Sequence, residues 1–171
     1  MSSQTQLQQP HFSHLAAAQV MTPQVLCAYE GWSIKRLTEF FLRNRISGAP
    51  VIAADHSLVG VVSLSDIIQF EQLPEQTKLK MIAETVYQEM LGHPLPESAL
   101  RELSQHASQN CTVNQIMTPA LIAADVQTPL PQVAALMVEH QIHRLFVTDE
   151  QKVVGVISSL DLLRLMAQSD D

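Results

Sequence analysis

Hydrophobic and polar residues follow the same plan in two stretches of the chain. Each stretch has apolar residues at the three- and four-residue spacing of a helix with one buried face. The two sets are Ile34, Leu37, Phe40 and Phe41 in the first stretch, and Leu130, Val133, Leu136 and Met137 in the second. Short apolar runs predict strands at 25–27, 49–52 and 58–62, and again at 121–123, 145–147 and 153–157. Short helices at 63–70 and 158–166 close the two units.

Three short sequences recur in the same order and indicate an internal duplication. They are Val20-Met21-Thr22-Pro23 with Ile116-Met117-Thr118-Pro119, Ile46 with Ile142, and 59–66 with 154–161. A unit of about 50 residues buries too little surface to be stable alone. We therefore expect an α/β (α+β) fold in which two β-α-β-β-α repeats pack as a pseudo-twofold pair with a cleft at the seam.

Between the repeats lies a segment that has no second copy. We divide the chain into an N-terminal tail with a short helix at 1–19, repeat 1 at 20–70, a helical insert at 71–111 and repeat 2 at 112–171. In the insert, one amphipathic helix is expected to end at Gly92-His93-Pro94, and a second to cover 98–109. Two interpretations stay open: a helical hairpin that packs on the core, or a docking surface for a partner or a second copy.

The composition of the 171 residues, 46% of them hydrophobic, is that of a folded globular chain. No apolar run reaches the ~18 residues that a membrane span needs, and the polar start shows no secretory signal, so we expect a cytoplasmic protein without membrane contact. The 10 basic and 17 acidic residues give a net charge of -7, and no basic cluster is present. This charge argues against nucleic-acid binding.

Cysteine and histidine residues do not form a recognisable reactive or metal site. Cys27 and Cys111 are far apart, as is typical of small apolar residues in a reducing compartment. Two histidine pairs have chelating spacing, namely His11 with His14 and His140 with His143. Neither pair has a third ligand, so we expect no metal site. The sequence has no phosphate-binding loop and no nucleophile motif, and we expect no enzymatic activity.

The motif G-x-x-S-x-x-D ends both repeats and has two interpretations. Its copies are Gly60, Ser63 and Asp66, and Gly155, Ser158 and Asp161. In the first interpretation, the serine caps the closing helix and the aspartate reaches back to it as a capping box. In the second, the helix N-terminus binds a phosphate, the serine donates to a phosphate oxygen, and the aspartate accepts both ribose hydroxyls.

His143 and Arg144, which precede the second strand of repeat 2, also have two interpretations. In the first, they are exposed residues of the connection between helix and strand. In the second, they form a clamp in which Arg144 donates two hydrogen bonds to phosphate oxygens and His143 adds positive charge. Repeat 1 has Ser47 and Gly48 at the matching positions, so we expect two unequal clefts.

Together, the recurring motifs resemble those of a tandem pair of CBS domains, the Bateman module, over 20–70 and 112–166. The motifs are the two M-T-P starts, Ile46-Ser47-Gly48-Ala49-Pro50-Val51, Ile142-His143-Arg144-Leu145-Phe146-Val147 and the two G-x-x-S-x-x-D ends. The resemblance implies a non-catalytic regulatory module that binds an adenosine-containing ligand, such as AMP, ADP, ATP or S-adenosylmethionine, between its repeats. The alternative is a ligand-free structural module that acts through dimerisation or through its helical insert.

For the ligand, the resemblance implies one stronger and one weaker cleft. The stronger cleft is expected to contain Asp161, Ser158, Thr118, Leu121, His143 and Arg144, and the weaker one Asp66, Ser63, Thr22 and Ser47. One His-Arg pair neutralises one or two phosphate charges more readily than the four of ATP, so AMP or ADP is favoured. We expect no required cofactor.

Pairs of this family commonly dimerise through the helices of their repeats, and this chain has more apolar helical residues than one small core needs. These residues are Phe40, Phe41, Ile67, Ile68, Phe70, Leu162, Leu163 and Leu165. We therefore expect a homodimer. The signal is expected to pass to an effector protein that the sequence does not identify.

Overall fold

The computed structural model of the chain describes residues 12, 14–89, 96–119 and 122–168. The chain forms two compact units, one made of Met1–Val25 with Ile122–Asp171 and the other of Leu26–Leu121. We call the first the terminal unit, because it holds both ends of the chain, and the second the central unit. The boundaries of the units thus lie just inside the start of each repeat.

The helices and strands confirm a mixed α/β fold with two repeats. In chain order they are α1 (Ala17–Val20), β1 (Thr22–Pro23), β2 (Ala28–Tyr29), α2 (Ile34–Asn44), β3 (Gly48–Ile52), β4 (Leu58–Ser63), α3 (Leu64–Gln72), α4 (Glu75–Glu89), α5 (Glu97–Ser104), α6 (Ala107–Asn110), a 3-10 turn (Val113–Gln115), β5 (Thr118–Pro119), β6 (Ala123–Asp125), α7 (Leu130–Glu139), β7 (Arg144–Asp149), β8 (Lys152–Ser158) and α8 (Ser159–Gln168).

Each unit has one four-stranded sheet, and the two sheets have the same arrangement. The terminal sheet has the order β1-β8-β7-β6, and the central sheet has the order β2-β3-β4-β5. In both sheets one outer pair is parallel and the other two pairs are antiparallel. The first strand of each repeat pairs with the last strand of the other repeat, β1 with β8 and β5 with β4. The repeats therefore exchange their first strands.

The exchange explains why M-T-P and the motif glycine recur together. A Cβ atom on Gly60 would lie 2.6 Å from Met117 Sδ and 2.8 Å from the Thr118 carbonyl oxygen. A Cβ atom on Gly155 would overlap the Met21 side chain in the same way. Only glycine lets the methionine of the exchanged strand pack this closely on the sheet.

The predicted strand at 25–27 is wrong. Those residues are not in a strand, and the chain forms β1 before them and β2 after them. Each of these strands has two residues and is held by pairing to a strand distant in sequence, which a local pattern does not reveal. In the predicted strand at 121–123, Leu121 lies outside the described residues and β6 begins at Ala123.

Each unit has its own hydrophobic core, to which one long helix contributes three buried residues. Helix α2 buries Ile34, Leu37 and Phe41 in the central unit, and α7 buries Leu130, Val133 and Met137 in the terminal unit. Phe40 and Leu136, which the spacing placed on the same faces, are partly buried. The helical spacing in the sequence is confirmed in both repeats.

The insert is part of the central unit and packs on its core. Ile82 of α4 and Cys111 are fully buried in the central core, and the Gln115 side-chain amide donates to the Met81 carbonyl at 2.7 Å. The helix predicted at 98–109 is instead two helices, α5 and α6, because the chain leaves helical geometry at His106. The predicted end of the first insert helix, Gly92-His93-Pro94, lies outside the described residues. Within the described residues, no helix is long and apolar enough to cross a membrane.

Candidate ligand site

In the terminal unit, Ser158 and Asp161 form a complete capping box where β8 passes into α8. The Asp161 Oδ2 atom accepts hydrogen bonds from the Ser158 amide at 2.8 Å and from the Ser158 hydroxyl at 2.6 Å. The Asp161 amide in turn donates to Ser158 Oγ at 3.3 Å. In the central unit, Asp66 Oδ2 accepts from the Ser63 amide at 2.7 Å and from its hydroxyl at 2.8 Å.

The hydrogen bonds between Ser158 and Asp161 limit the donors and acceptors that these two residues can offer to a ligand. A serine hydroxyl has one proton, and Ser158 already donates it to Asp161. Ser158 can therefore donate to a phosphate only if its hydroxyl proton turns away from Asp161. The second carboxylate oxygen of Asp161, Oδ1, accepts no hydrogen bond of the capping box. The capping box uses the same residues as the expected ligand site. The first interpretation of the motif is therefore present in the structure, and the second would need the Oδ1 atom of Asp161.

Arg164, which was not among the residues expected from the sequence, also lowers the pKa of the Asp161 carboxyl. Arg164, one helical turn along α8, places Nη1 3.7 Å from Asp161 Oδ1. Burial raises the pKa of the Asp161 carboxyl, but the hydrogen bonds from Ser158 and the charge of Arg164 outweigh burial, and the pKa lies below its ordinary value. The carboxylate is thus a charged acceptor at neutral pH, as binding of hydroxyl groups requires. The i,i+3 spacing was the available signal for Arg164.

Three predicted residues lie on one face of the terminal sheet. Arg144 is directly opposite Ser158 in the β7–β8 pair, and Thr22 is opposite Val156 in the β1–β8 pair. Because side chains alternate along a strand, Thr22, Arg144 and Ser158 share a face. The opposite face carries Leu145 and the rest of the buried core.

His143 precedes β7 and is not part of the strand. Its carbonyl oxygen accepts a hydrogen bond from the Ser159 amide at 3.0 Å, and the residue lines an apolar groove together with residues of α7 and α8. Arg144 is the first residue of β7, and its register opposite Ser158 places it on the sheet face of Ser158. The two residues thus have different surroundings, and a phosphate clamp made by both of them stays a prediction.

In the central unit, the matching face carries no charged residue at the strand position of Arg144. Gly48 is opposite Ser63, and Thr118 is opposite Val61. Ser47, which matches His143, accepts a hydrogen bond from the Leu64 amide through its carbonyl oxygen at 2.9 Å.

The two threonines are grouped differently from the sequence expectation. Thr118, expected beside Asp161, is in the sheet that carries Ser63, and Thr22, expected beside Asp66, is in the sheet that carries Ser158. The cause is the exchange of first strands. Leu121 lies outside the described residues. Across the described part of the chain, no group of three His, Cys, Asp or Glu side chains could hold a metal ion.

Comparison with known proteins identifies the repeats. A family model described as the CBS domain matches residues 17–72 and 113–168, which together are more than half of the chain. Protein MJ1426 of Methanocaldococcus jannaschii is 29% identical over 145 residues, which cover 82% of this chain and 85% of that protein.

Two solved structures have a similar fold. CBSX2 from Arabidopsis thaliana, in complex with AMP, has 22% sequence identity and a TM-score of 0.61, with 90% of this chain and 96% of that chain covered. The CBS domain pair of protein MJ0100, in complex with 5′-methylthioadenosine and S-adenosyl-L-methionine, has 21% identity and a TM-score of 0.58, with 90% and 97% covered. At these identities the likeness establishes the fold alone.

Proposed function

Because this chain belongs to the CBS-domain family, whose paired domains are generally regulatory and non-catalytic, we propose that it is a cytoplasmic regulatory module that senses an adenosine-containing ligand. The ligand that we favour is AMP or ADP, bound by the terminal unit, with no required cofactor. The central unit supplies a weaker site at Asp66 and Ser63.

The observation that carries this proposal is the grouping of four polar residues at one end of the terminal sheet. Thr22, Arg144 and Ser158 share a sheet face, and Asp161 is held beside Ser158 by the capping box. Asp161 keeps Oδ1 outside the cap as an acceptor for ribose hydroxyls, and Arg144 is a fixed cation for phosphate. CBSX2 was solved with AMP and the MJ0100 pair with S-adenosyl-L-methionine, which supports an adenosine moiety as the shared part of the ligand.

The number of cations favours a ligand with few phosphates. The terminal unit has Arg144 on the sheet face and Arg164 beside Asp161. In a chain of net charge -7, two cations balance AMP or ADP better than ATP without a metal ion. A ligand without phosphate, such as S-adenosylmethionine, would make little use of Arg144.

Titration calorimetry on the full chain tests the ligand class with AMP, ADP, ATP, S-adenosylmethionine and adenosine. Arg144→Gln should weaken AMP about ten- to a hundredfold, since a hydrogen bond to a charged group contributes ~1.5–3 kcal/mol, and should leave adenosine unchanged. Lys152→Gln is the matched control, because it removes an exposed cation from the far end of the same strand pair. No heat from any of the five compounds at millimolar concentration would contradict the proposal.

A second candidate function is a ligand-free interaction module, and two observations favour it. The capping boxes explain Ser63, Asp66, Ser158 and Asp161 without a ligand. Large apolar side chains are exposed on the helices of both units, namely Leu42, Leu64, Ile68, Val138, Leu160, Leu163 and Met166. Exposed apolar patches of this kind form interfaces, so we propose a homodimer in either case, with an effector protein as a further partner. A monomer mass in sedimentation equilibrium at all concentrations would exclude the dimer.

A further inference from the structure

Met21 of the terminal unit and Met117 of the central unit pack closely on the motif glycine of the neighbouring strand. A Cβ atom on Gly60 would lie 2.6 Å from Met117 Sδ and 3.1 Å from Met117 Cγ. A Cβ atom on Gly155 would overlap the side chain of Met21, including its Sδ atom. In both units the thioether sulfur therefore fills the space that a Cβ atom would take, and no room is left there for a further atom.

Both methionines directly precede an edge strand of two residues. Met21 is followed by β1 and Met117 by β5, and each of these strands is the outermost of its sheet. Each strand is in register with two residues of the neighbouring strand, and both methionines are partly buried. A strand held by so few residues opens locally at a low free energy, so a small solute can reach the sulfur without global unfolding.

Oxidation of either thioether is incompatible with this packing. Hydrogen peroxide transfers one oxygen atom to Sδ, which gives a sulfoxide and water: the sulfur loses two electrons, and the O–O bond of the peroxide is broken. The sulfoxide is polar and carries one more atom than the thioether. Burying its oxygen without a hydrogen-bond donor costs free energy, so the oxidised side chain is displaced from the glycine.

The two cysteines of the chain compete poorly for a peroxide. The thiolate is the reactive form of cysteine, and burial raises the pKa of the Cys27 thiol. Burial also raises the pKa of Cys111 to about 11, despite the opposing effect of the nearby Lys78 charge. Both thiols are therefore protonated at neutral pH, whereas a thioether reacts without losing a proton.

We propose that Met21 and Met117 are oxidation sites at which a peroxide releases the exchanged strands β1 and β5. A reductase can convert methionine sulfoxide back to methionine, so the release is reversible. It does not depend on a nucleotide at Asp161. It removes Thr22, the residue after Met21, from the sheet face of Ser158.

Treatment of the folded full chain with hydrogen peroxide, followed by peptide mass spectrometry and thermal unfolding, tests the proposal. Met166 and Met137 are internal references, because their exposed fractions are 54% and 5%. Met21 and Met117 should be oxidised more slowly than Met166 and faster than Met137. Their complete oxidation should lower the melting temperature by at least about 3 °C, the shift expected when one polar group is buried without a partner in a chain of this size.

Variants without the two sulfur atoms assign the effect. The double variant Met21→Leu, Met117→Leu keeps a similar side-chain volume, and peroxide should leave its melting temperature unchanged. Each variant is compared with its own untreated form, so any change in its initial stability cancels. Met166→Leu is the matched control, and it should lose as much as the parent. Methionine sulfoxide reductases for both sulfoxide epimers should restore the melting temperature of the oxidised parent.

Three results would overturn the proposal. If Met21 and Met117 are oxidised no faster than Met137, the edge strands do not open to a peroxide. If both are fully oxidised and the melting temperature stays the same, the sulfoxide is tolerated beside the glycine. If the double leucine variant loses as much as the parent, the effect belongs to other methionines.

Discussion

The terminal and central units have one fold and differ at positions of the proposed ligand site. Both have the same strand order, the same exchanged first strand and the same Ser-Asp contact before the closing helix. At the strand position where the terminal unit has Arg144, the central unit has Gly48. Three residues after the motif aspartate, the terminal unit has Arg164 and the central unit Gln69.

This comparison separates what holds the fold from what gives it a function. The motif glycine and the capping box are explained by packing and hydrogen bonds alone, and both units have them. Arg144 and Arg164 are needed neither for the packing at the motif glycine nor for the capping box, and the matching positions of the central unit have no arginine. A site for an anionic ligand is therefore expected in one unit and not equally in both.

The steric role of the motif glycine gives the largest expected effect. Gly155→Ala should lower the free energy of unfolding by about 1–3 kcal/mol, because the added methyl group overlaps Met21 and overpacking costs energy of this size. Gly60→Ala should give a similar loss through Met117. Urea denaturation measures both.

Gly31→Ala is the matched control for the glycine variants, because a Cβ atom on Gly31 would have no heavy atom within 4 Å. Its free energy of unfolding should change by less than about 0.5 kcal/mol, as for an ordinary surface substitution. Equal stability of all three variants would show that the close approach of the exchanged strands does not restrict these positions.

The capping carboxylate of the terminal unit gives the next largest effect, and it depends on pH. The folded-state pKa of Asp161 is below its unfolded value of about 3.9, so its stabilisation is present above that pH and is lost as the pH falls through the folded pKa. Asp161→Ala should cost about 1 kcal/mol of unfolding free energy at pH 7, as for a lost helix cap. The gap between variant and parent should close in denaturation curves taken at successively lower pH, and a gap that stays constant would exclude the charged form as its source.

The smallest expected effect comes from Arg164. An exposed ion pair contributes ~0.2–1 kcal/mol, so Arg164→Gln should change the affinity for AMP by less than about fivefold. The reciprocal variant Gln69→Arg adds the same cation beside Asp66. If Gln69→Arg alone raised the central site to the affinity of the terminal one, Arg164 and not Arg144 would be the residue that makes the two units unequal.

Much of the fold was accessible from the sequence because its signals are local. The helices α2 and α7 follow from apolar spacing, and the repeat follows from motifs in the same order. The bounds of the two-residue strands β1 and β5 were not predicted, because these strands are defined by pairing with the other repeat. The expected partners of Thr22 and Thr118 were interchanged for the same reason.

Side-chain direction was the harder part of the site. His143 and Arg144 are adjacent in sequence and were expected to act together, yet Arg144 is in β7 opposite Ser158, whereas His143 precedes the strand and lines the groove beside α7 and α8. The capping box was foreseen as an alternative to ligand binding, whereas its use of a single carboxylate oxygen emerged only from the geometry.

The affinity of AMP for Asp161→Asn and for Asp66→Asn shows directly whether the terminal unit holds the principal ligand site. Each substitution removes one carboxylate charge at matching positions and keeps an oxygen that can accept from the capping serine, so any difference reports the ligand. We expect Asp161→Asn to weaken AMP binding by about tenfold or more, the size of one hydrogen bond to a charged group, and Asp66→Asn to have little effect. Weaker binding by Asp66→Asn, with Asp161→Asn equal to the parent, would place the principal site in the central unit and contradict a terminal ligand site.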